Sequence, residues 1–296
     1  MFMALTRLSG CKVNFLLNIL GRRADGFHEL ETVMHPVPLY DELQFATGGQ
    51  GVQLTCSDPA LPVDGGNLVR RAAELFLRTA GIESGVRIHL EKRIPLAAGL
   101  GGGSGDAATT LLGLNELFGN SLANAELERL AASLGSDVPF FLQSKPALAT
   151  GRGERIQALD DFPALKNAFI VLIHPGFGVA TAWAYQHLAK YPVALNGQPG
   201  RAARLIARLH EGNLAAASAE FFNSLEAPVL PKYPLLVLFQ EFLRAHGASV
   251  ALMSGSGSTT FALVEGKDSA EQLVEKFRAK FGTSNWTFVA KLTGAS

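Results

Sequence analysis

The chain is predicted to be an α+β protein of two domains, a mixed α/β N-terminal domain and a C-terminal ferredoxin-like domain with extra helices. Three observations predict this. Its 296 residues, 48% of them hydrophobic, are enough to bury two cores. Strand-like and helix-like segments interleave through the first 150 residues, as expected where helices cover a sheet. Around 160–166 the composition becomes acidic and Pro-containing, which reads as a linker, so the domains are placed at 1–160 and 161–296.

Extended segments are read at 12–19, 29–45 and 86–92, the last from its alternation of apolar and polar residues. Helices follow at 68–79, 104–118 and 125–134, and a strand at 147–150. In the first helix Leu68, Ala72, Leu75, Phe76 and Thr79 fall on one face, while Arg70, Arg71, Glu74 and Arg78 fall outside it. Asn67 is a suitable N-cap. The second half reads as a strand at 169–174, helices at 181–189, 201–210, 214–225 and 235–246, and a strand at 249–253. A Gly-Ser turn, a strand at 259–264, a helix at 270–281 and a strand at 286–291 complete it. Helices packed on an antiparallel sheet are the simplest arrangement of these elements.

Composition excludes several function classes. Acidic and basic residues balance at 26 each, so there is no broad basic field for nucleic acid or an anionic membrane surface, and any phosphate must be held locally. Cys11 and Cys56 have no metal-ligand spacing, the N-terminus lacks a signal-peptide pattern, and apolar runs are broken well short of a membrane span. A cytoplasmic protein with no membrane or nucleic-acid partner is expected.

The run IPLAAGLGGGSGDAATTLLGLNELF, beginning at Ile94, is the strongest chemical signal. Five glycines fall between Gly99 and Gly105, with a strand before them and a helix after. Glycine lets the main chain approach an anion closely, and the unsatisfied N–H groups of a helix start carry partial positive charge. Ser104 is placed to cap the helix or touch a phosphate. The run fits neither GxxxxGK[ST] nor GxGxxG. A flexible turn would also use glycine, but the flanking strand and helix favour a phosphate cradle. Asp106 reads either as an acid suited to the helix dipole or as a group near a bound cation.

Three polar clusters lie in apolar surroundings: Lys12 with Asn14, the stretch Asp25 to His28, and Gly135 to Pro139. Phosphoryl transfer needs positive charge to offset the transition state and a group that orients the acceptor hydroxyl or receives its proton; Lys12 and Asp137 are of these types. Taken singly, Asp137 reads as a turn cap before Pro139 and Lys12 as a surface lysine. His28 alone is an ordinary partly buried histidine, and Phe27 and Tyr185 are core aromatics.

Together the motifs resemble the GHMP kinase superfamily. The resemblance is carried by KVNFLLNILGRRADGFHELET from Lys12, IPLAAGLGGGSGDAA from Ile94, GSDVPFFL from Gly135 and MSGSGSTTFAL from Met253, so it spans nearly the whole chain. RADGFHELET and ATGRGE, from Ala149, narrow it to the branch acting on diphosphocytidyl methylerythritol in non-mevalonate isoprenoid synthesis. The resemblance implies a GHMP kinase-like fold and ATP as co-substrate with Mg2+. It also implies a small-molecule substrate phosphorylated on its 2-hydroxyl, in a monomer or weak homodimer.

By the same resemblance Lys12 and Asp137 are the catalytic pair. Pro95, Leu96, Ala97, Ala98, Gly99, Leu100, Gly101, Gly102, Gly103, Ser104 and Gly105 form the ATP loop, and Asn14, Phe27, His28 and Tyr185 surround the substrate, with no metal ligands assigned. Aromatic faces would stack on cytosine while His28 meets its polar edge. MSGSGSTTFAL reads as a glycine hairpin that also closes against the substrate. Gly105, Cys11 and Phe27 depart from the expected serine, small residue and tyrosine. Two alternatives stay open: another GHMP kinase acting on mevalonate, homoserine or a sugar, and a nucleotide-binding module without catalysis.

Overall fold

The structure, a computed structural model, describes residues 4–292. These form two compact units that alternate along the chain, one of residues 4–11, 39–96 and 101–144, the other of 12–38, 97–100 and 145–292. The expected boundary at 160/161 lies inside the last of these segments.

Two long strands, β1 (Ala4–Arg22) and β2 (His28–Thr47), contribute to both units. In the first unit the end of β2 pairs antiparallel with β4 (Val86–Glu91), and β3 (Val52–Cys56) pairs parallel with β4. Val86, Ile88 and Leu90 alternate inward, which gives this sheet one apolar face for helices to cover. The covering helices are α1 (Leu68–Ala80), α2 (Gly102–Leu117) and α3 (Asn124–Leu134).

Asn67 caps α1 as its sequence predicts, its Oδ1 accepting the Val69 N–H at 2.9 Å. The buried face of α1 is turned by about one residue from the expected one: Val69, Ala72, Ala73, Phe76 and Leu77 are buried, while Leu68, Leu75 and Thr79 are half-buried. The sheet, α2 and α3 together enclose more of the helix than a single apolar stripe describes. α2 begins at Gly102 behind Gly101, so Ser104 sits within its first turn and does not cap it.

In the second unit β2 pairs antiparallel with β5 (Ala147–Gly151), which forms a hairpin with β6 (Arg155–Ala158). A four-stranded antiparallel sheet holds β7 (Ala168–His174), β9 (Val250–Met253), β10 (Thr260–Glu265) and β11 (Trp286–Lys291) in the order β11-β7-β10-β9. In chain order that is fourth, first, third, second, the ferredoxin-like arrangement. The extra helices are α4 (Thr181–Leu188), α5 (Pro192–Leu195), α6 (Arg201–His210), α7 (Leu214–Ala217) and α8 (Glu226–Lys232). α9 (Pro234–Ala245) and α10 (Lys267–Phe281) supply the aromatic core, where Phe239 meets Phe277 edge-on at 4.8 Å.

The single helix expected at 214–225 is not formed. α7 ends at Ala217, a 3-10 turn follows, and β8 (Phe222–Asn223) pairs parallel with Leu16 and Leu17 of β1. Tertiary partners decide this: the Asn223 amide donates to the carbonyls of Met253 and Gly255, both at 2.8 Å.

His35 of β2 is buried in this unit, with its ring stacked 5.0 Å from that of Phe15 and its Nδ1 2.7 Å from the Pro36 carbonyl. Burial pushes its pKa down to about 4 from the ordinary 6.5. The unfolded chain therefore takes up this proton at a higher pH than the folded one, and the stability contributed by neutral His35 is lost as pH falls from 6.5 to 4. Below its unfolded pKa the slope approaches about 1.4 kcal/mol per pH unit. His35→Phe, which keeps the ring contact, should flatten the dependence of the urea midpoint on pH across this window; an unchanged slope would exclude His35 as its origin.

Candidate active site

Residues 97–100, although flanked by first-unit chain, belong to the second unit. Every second residue from Ala97 to Gly101 has positive φ: Ala97 at 52°, Gly99 at 77° and Gly101 at 72°. Such alternation turns successive N–H groups toward one concavity, the geometry of an anion nest. Ala97 holds a left-handed conformation despite its Cβ, at roughly 1–2 kcal/mol. Three consecutive carbonyls are satisfied within the unit. Ala98 O accepts from Thr259 N at 3.1 Å, Gly99 O from Ser254 Oγ at 2.9 Å, and Leu100 O from Lys12 N at 2.9 Å. With its acceptors occupied, the stretch offers chiefly donors.

Gly99 has no room for a side chain. A Cβ there would run into the Ser254 carbonyl and stand 3.0 Å from Gly257 N. The segment MSGSGSTTFAL is thus the hairpin its sequence predicts, between β9 and β10, and its backbone lies directly against the loop. Gly105 is equally constrained, since a Cβ would meet the Gly10 carbonyl and lie 3.1 Å from Ser9 Oγ. This accounts for glycine where the family resemblance leads one to expect serine.

Lys12 is buried on β1, not the solvated lysine its type alone suggests, and its Nζ donates to Asn14 Oδ1 at 2.7 Å. Asn14 Nδ2 donates to Thr32 Oγ1 at 2.8 Å, and Thr32 donates on to the Leu16 carbonyl at 2.5 Å. This chain fixes the Asn14 amide so that its oxygen faces Lys12. Asp137 lies in the first unit, half-buried at the start of the 3-10 turn Val138–Leu142, and its side chain makes no capping hydrogen bond to that turn.

His28 and Tyr185 come together with ring centroids 5.1 Å apart. Burial, with a contribution from Arg22, lowers the His28 pKa, so at neutral pH its ring offers one donor and one acceptor. Phe27 stands on the β1–β2 turn, 51% exposed, with the Arg152 guanidinium 4.8 Å from its ring centroid.

Thr32, Ser254, Thr259 and Arg152 are contacts that residue-by-residue reading does not single out, although each lies in a motif quoted above. Asp106 lies beyond the first turn of α2, buried and ion-paired with Lys92 at 2.9 Å.

Gly99→Ala should disturb this arrangement at its tightest point. The expected result is a loss of about 2 kcal/mol or more in folding stability together with at least tenfold weaker nucleotide binding, read by thermal melts and calorimetry. Wild-type values for both would show that the loop has room the structure denies it.

The GHMP kinases N terminal domain family matches residues 67–145 and the GHMP kinases C terminal family matches 196–283. A 4-diphosphocytidyl-2-C-methyl-D-erythritol kinase of Geobacter sp. (strain M21) is 42% identical over 281 residues, 94% of this chain and 96% of the relative. The enzyme of the same name from Geobacter sulfurreducens is 42% identical over 277 residues, 93% of this chain and 95% of its own. Among solved structures, a crystal structure of 4-(cytidine 5'-diphospho)-2C-methyl-D-erythritol kinase superposes with a TM-score of 0.79 at 37% identity, covering 98% of this chain and all of that one. Homoserine kinase from Cytophaga hutchinsonii shares the fold, with a TM-score of 0.77 at 22% identity over 98% of this chain and 95% of its own. The chain belongs to the GHMP kinases, in the family of the 4-diphosphocytidyl-2-C-methyl-D-erythritol kinases.

Proposed function

We propose that the protein transfers the γ-phosphoryl group of ATP to the 2-hydroxyl of 4-diphosphocytidyl-2-C-methyl-D-erythritol, a step of non-mevalonate isoprenoid synthesis. The observation that carries this reading is identity at 42% over 94% of the chain to a relative of that name. The His28–Tyr185 ring pair supports it physically, because a pyrimidine needs a stacking face and an edge reader that mevalonate or homoserine does not.

In this reading the Pro95 to Gly105 loop cradles the phosphates with main-chain donors. Lys12 offsets charge on the transferring group, and Asp137 orients the acceptor hydroxyl. As the new O–P bond forms and the bond to ADP breaks, the hydroxyl proton passes to Asp137. Asn14 keeps the Lys12 amine in place. Phe27 and Tyr185 flank the cytosine, and His28 meets its polar edge. Among the described residues no three His, Cys, Asp or Glu side chains cluster to hold a metal ion. Mg2+ is proposed to accompany the ATP phosphates, where it would offset their charge.

The sequence halves 1–160 and 161–296 are proposed as the family's two domains, each holding one of the matched segments. A cytoplasmic location is proposed from the sparse cysteines, a monomer or weak homodimer from the family resemblance, and the lack of nucleic-acid or membrane partners from the balanced charge. No described helix is long and apolar enough to cross a membrane.

Turnover assays with the cytidine substrate, mevalonate and homoserine test the substrate assignment, which fails if either of the latter is preferred. Asp137→Asn and Lys12→Met should each lower kcat by about 10²–10⁴-fold while ATP binding persists. Unchanged rates would remove these residues from the chemistry, and bound ATP without turnover in the wild type would favour a nucleotide-binding module. Tyr185→Ala should raise KM for the cytidine substrate roughly tenfold, with KM for ATP unaffected; equal effects on both would argue against stacking.

A further inference from the structure

Lys92, at the end of β4, is buried between two buried carboxylates. Its Nζ donates to Asp41 Oδ2 of β2 and, at 2.9 Å, to Asp106 Oδ2 of α2. Asp41 Oδ1 accepts the main-chain N–H groups of Arg93 at 2.6 Å and Ile94 at 2.9 Å. The chain enters the glycine loop immediately after Ile94 and leaves it immediately before Asp106. One ion triad therefore grips both ends. The fit is close: a Cβ on Gly102 would lie 3.0 Å from Ile94 Cγ2 and 3.5 Å from Lys92 Nζ.

Two carboxylates share one ammonium away from water, with the buried Ser9 hydroxyl turned toward Asp106. Apolar residues of similar volume would give comparable or greater stability at such a position. What the triad supplies that they cannot is a directional link between two backbone segments.

We propose that Asp41, Lys92 and Asp106 are positioning residues for ATP, a brace that fixes the separation of the two ends of the phosphate loop. The proposal rests on residues 95–105 being that loop. In this role the three act through Ile94 and the first turns of α2.

The brace also predicts a pH signature. Asp106 faces Lys92 of β4, Asp41 of β2, the Ser9 hydroxyl of β1 and the field of the Cys56 thiol of β3. Burial, working against the attraction of Lys92, raises its carboxyl to about 6. Protonating it weakens the charge-assisted bond to Lys92, so the grip is full above that pH and loosens below it.

The test uses the full chain and its Michaelis constants for ATP and for the cytidine substrate between pH 5.5 and 8. Asp106→Ala should raise KM for ATP about tenfold at pH 7.5 while KM for the cytidine substrate stays within twofold. Asp106→Asn keeps an acceptor for Lys92 and should show a rise of about fivefold that no longer grows toward pH 5.5, as the wild type's does. Should the alanine variant not fold, the asparagine profile decides alone. Equal changes in both constants, or neither constant changing, would overturn the brace. Gly103→Glu separates the underlying reading, since a Cβ there meets nothing nearer than Leu68 Cδ1 at 3.8 Å and a negative charge on the loop should repel the phosphates without a clash. If Gly103→Glu leaves KM for ATP unchanged, the loop assignment itself falls and the brace with it. If it raises that constant while the Asp106 variants do not, only the brace falls.

Discussion

The passage of the Gly99 backbone against Ser254 is the contact on which the site depends. Two main chains lie too close there for a Cβ, and the adjoining carbonyls of Ala98, Gly99 and Leu100 are all occupied within the same unit. With these three acceptors tied down the loop is left rich in donors, and positive φ at Ala97, Gly99 and Gly101 suits an anion nest. The bond that occupies Leu100 O comes from Lys12 N, so a single 2.9 Å contact registers the loop with the strand carrying the lysine.

Two kinds of polar contact surround this region, and their energetics differ. Lys12, Asn14 and Thr32 are buried and linked in series, so removing one member strands a neighbour's hydrogen-bonding group, typically at 1–3 kcal/mol. Arg23, Asp25 and Glu29 around the β1–β2 turn, with Arg155 of β6, are partly exposed and ion-paired, a setting in which each pair contributes little. Rigidity sits around the Lys12 amine, and adaptability around the exposed ring of Phe27.

Legibility in the sequence followed the range of the forces involved. α6 and β11 appear with their predicted bounds, and α1 with its Asn67 cap, because apolar periodicity and local capping act over a few residues. β8 was not readable, since it depends on Asn223 reaching the carbonyls of Met253 and Gly255, some 30 residues away. The same holds for the site. Glycine spacing marks the loop, but only the fold shows that Gly105 lacks room beside Gly10, that Lys12 is enclosed, or that Asp106 pairs with Lys92.

The interleaving of the two units has a consequence for how the polypeptide can be divided. One unit borrows its opening strands from residues 12–38 and a four-residue stitch from 97–100 before collecting residues 145–292. No single scission yields two self-sufficient fragments. A gene split at any one codon leaves at least one product without strands it cannot replace, so fragment complementation or a circular permutant would have to respect several crossings of the chain at once.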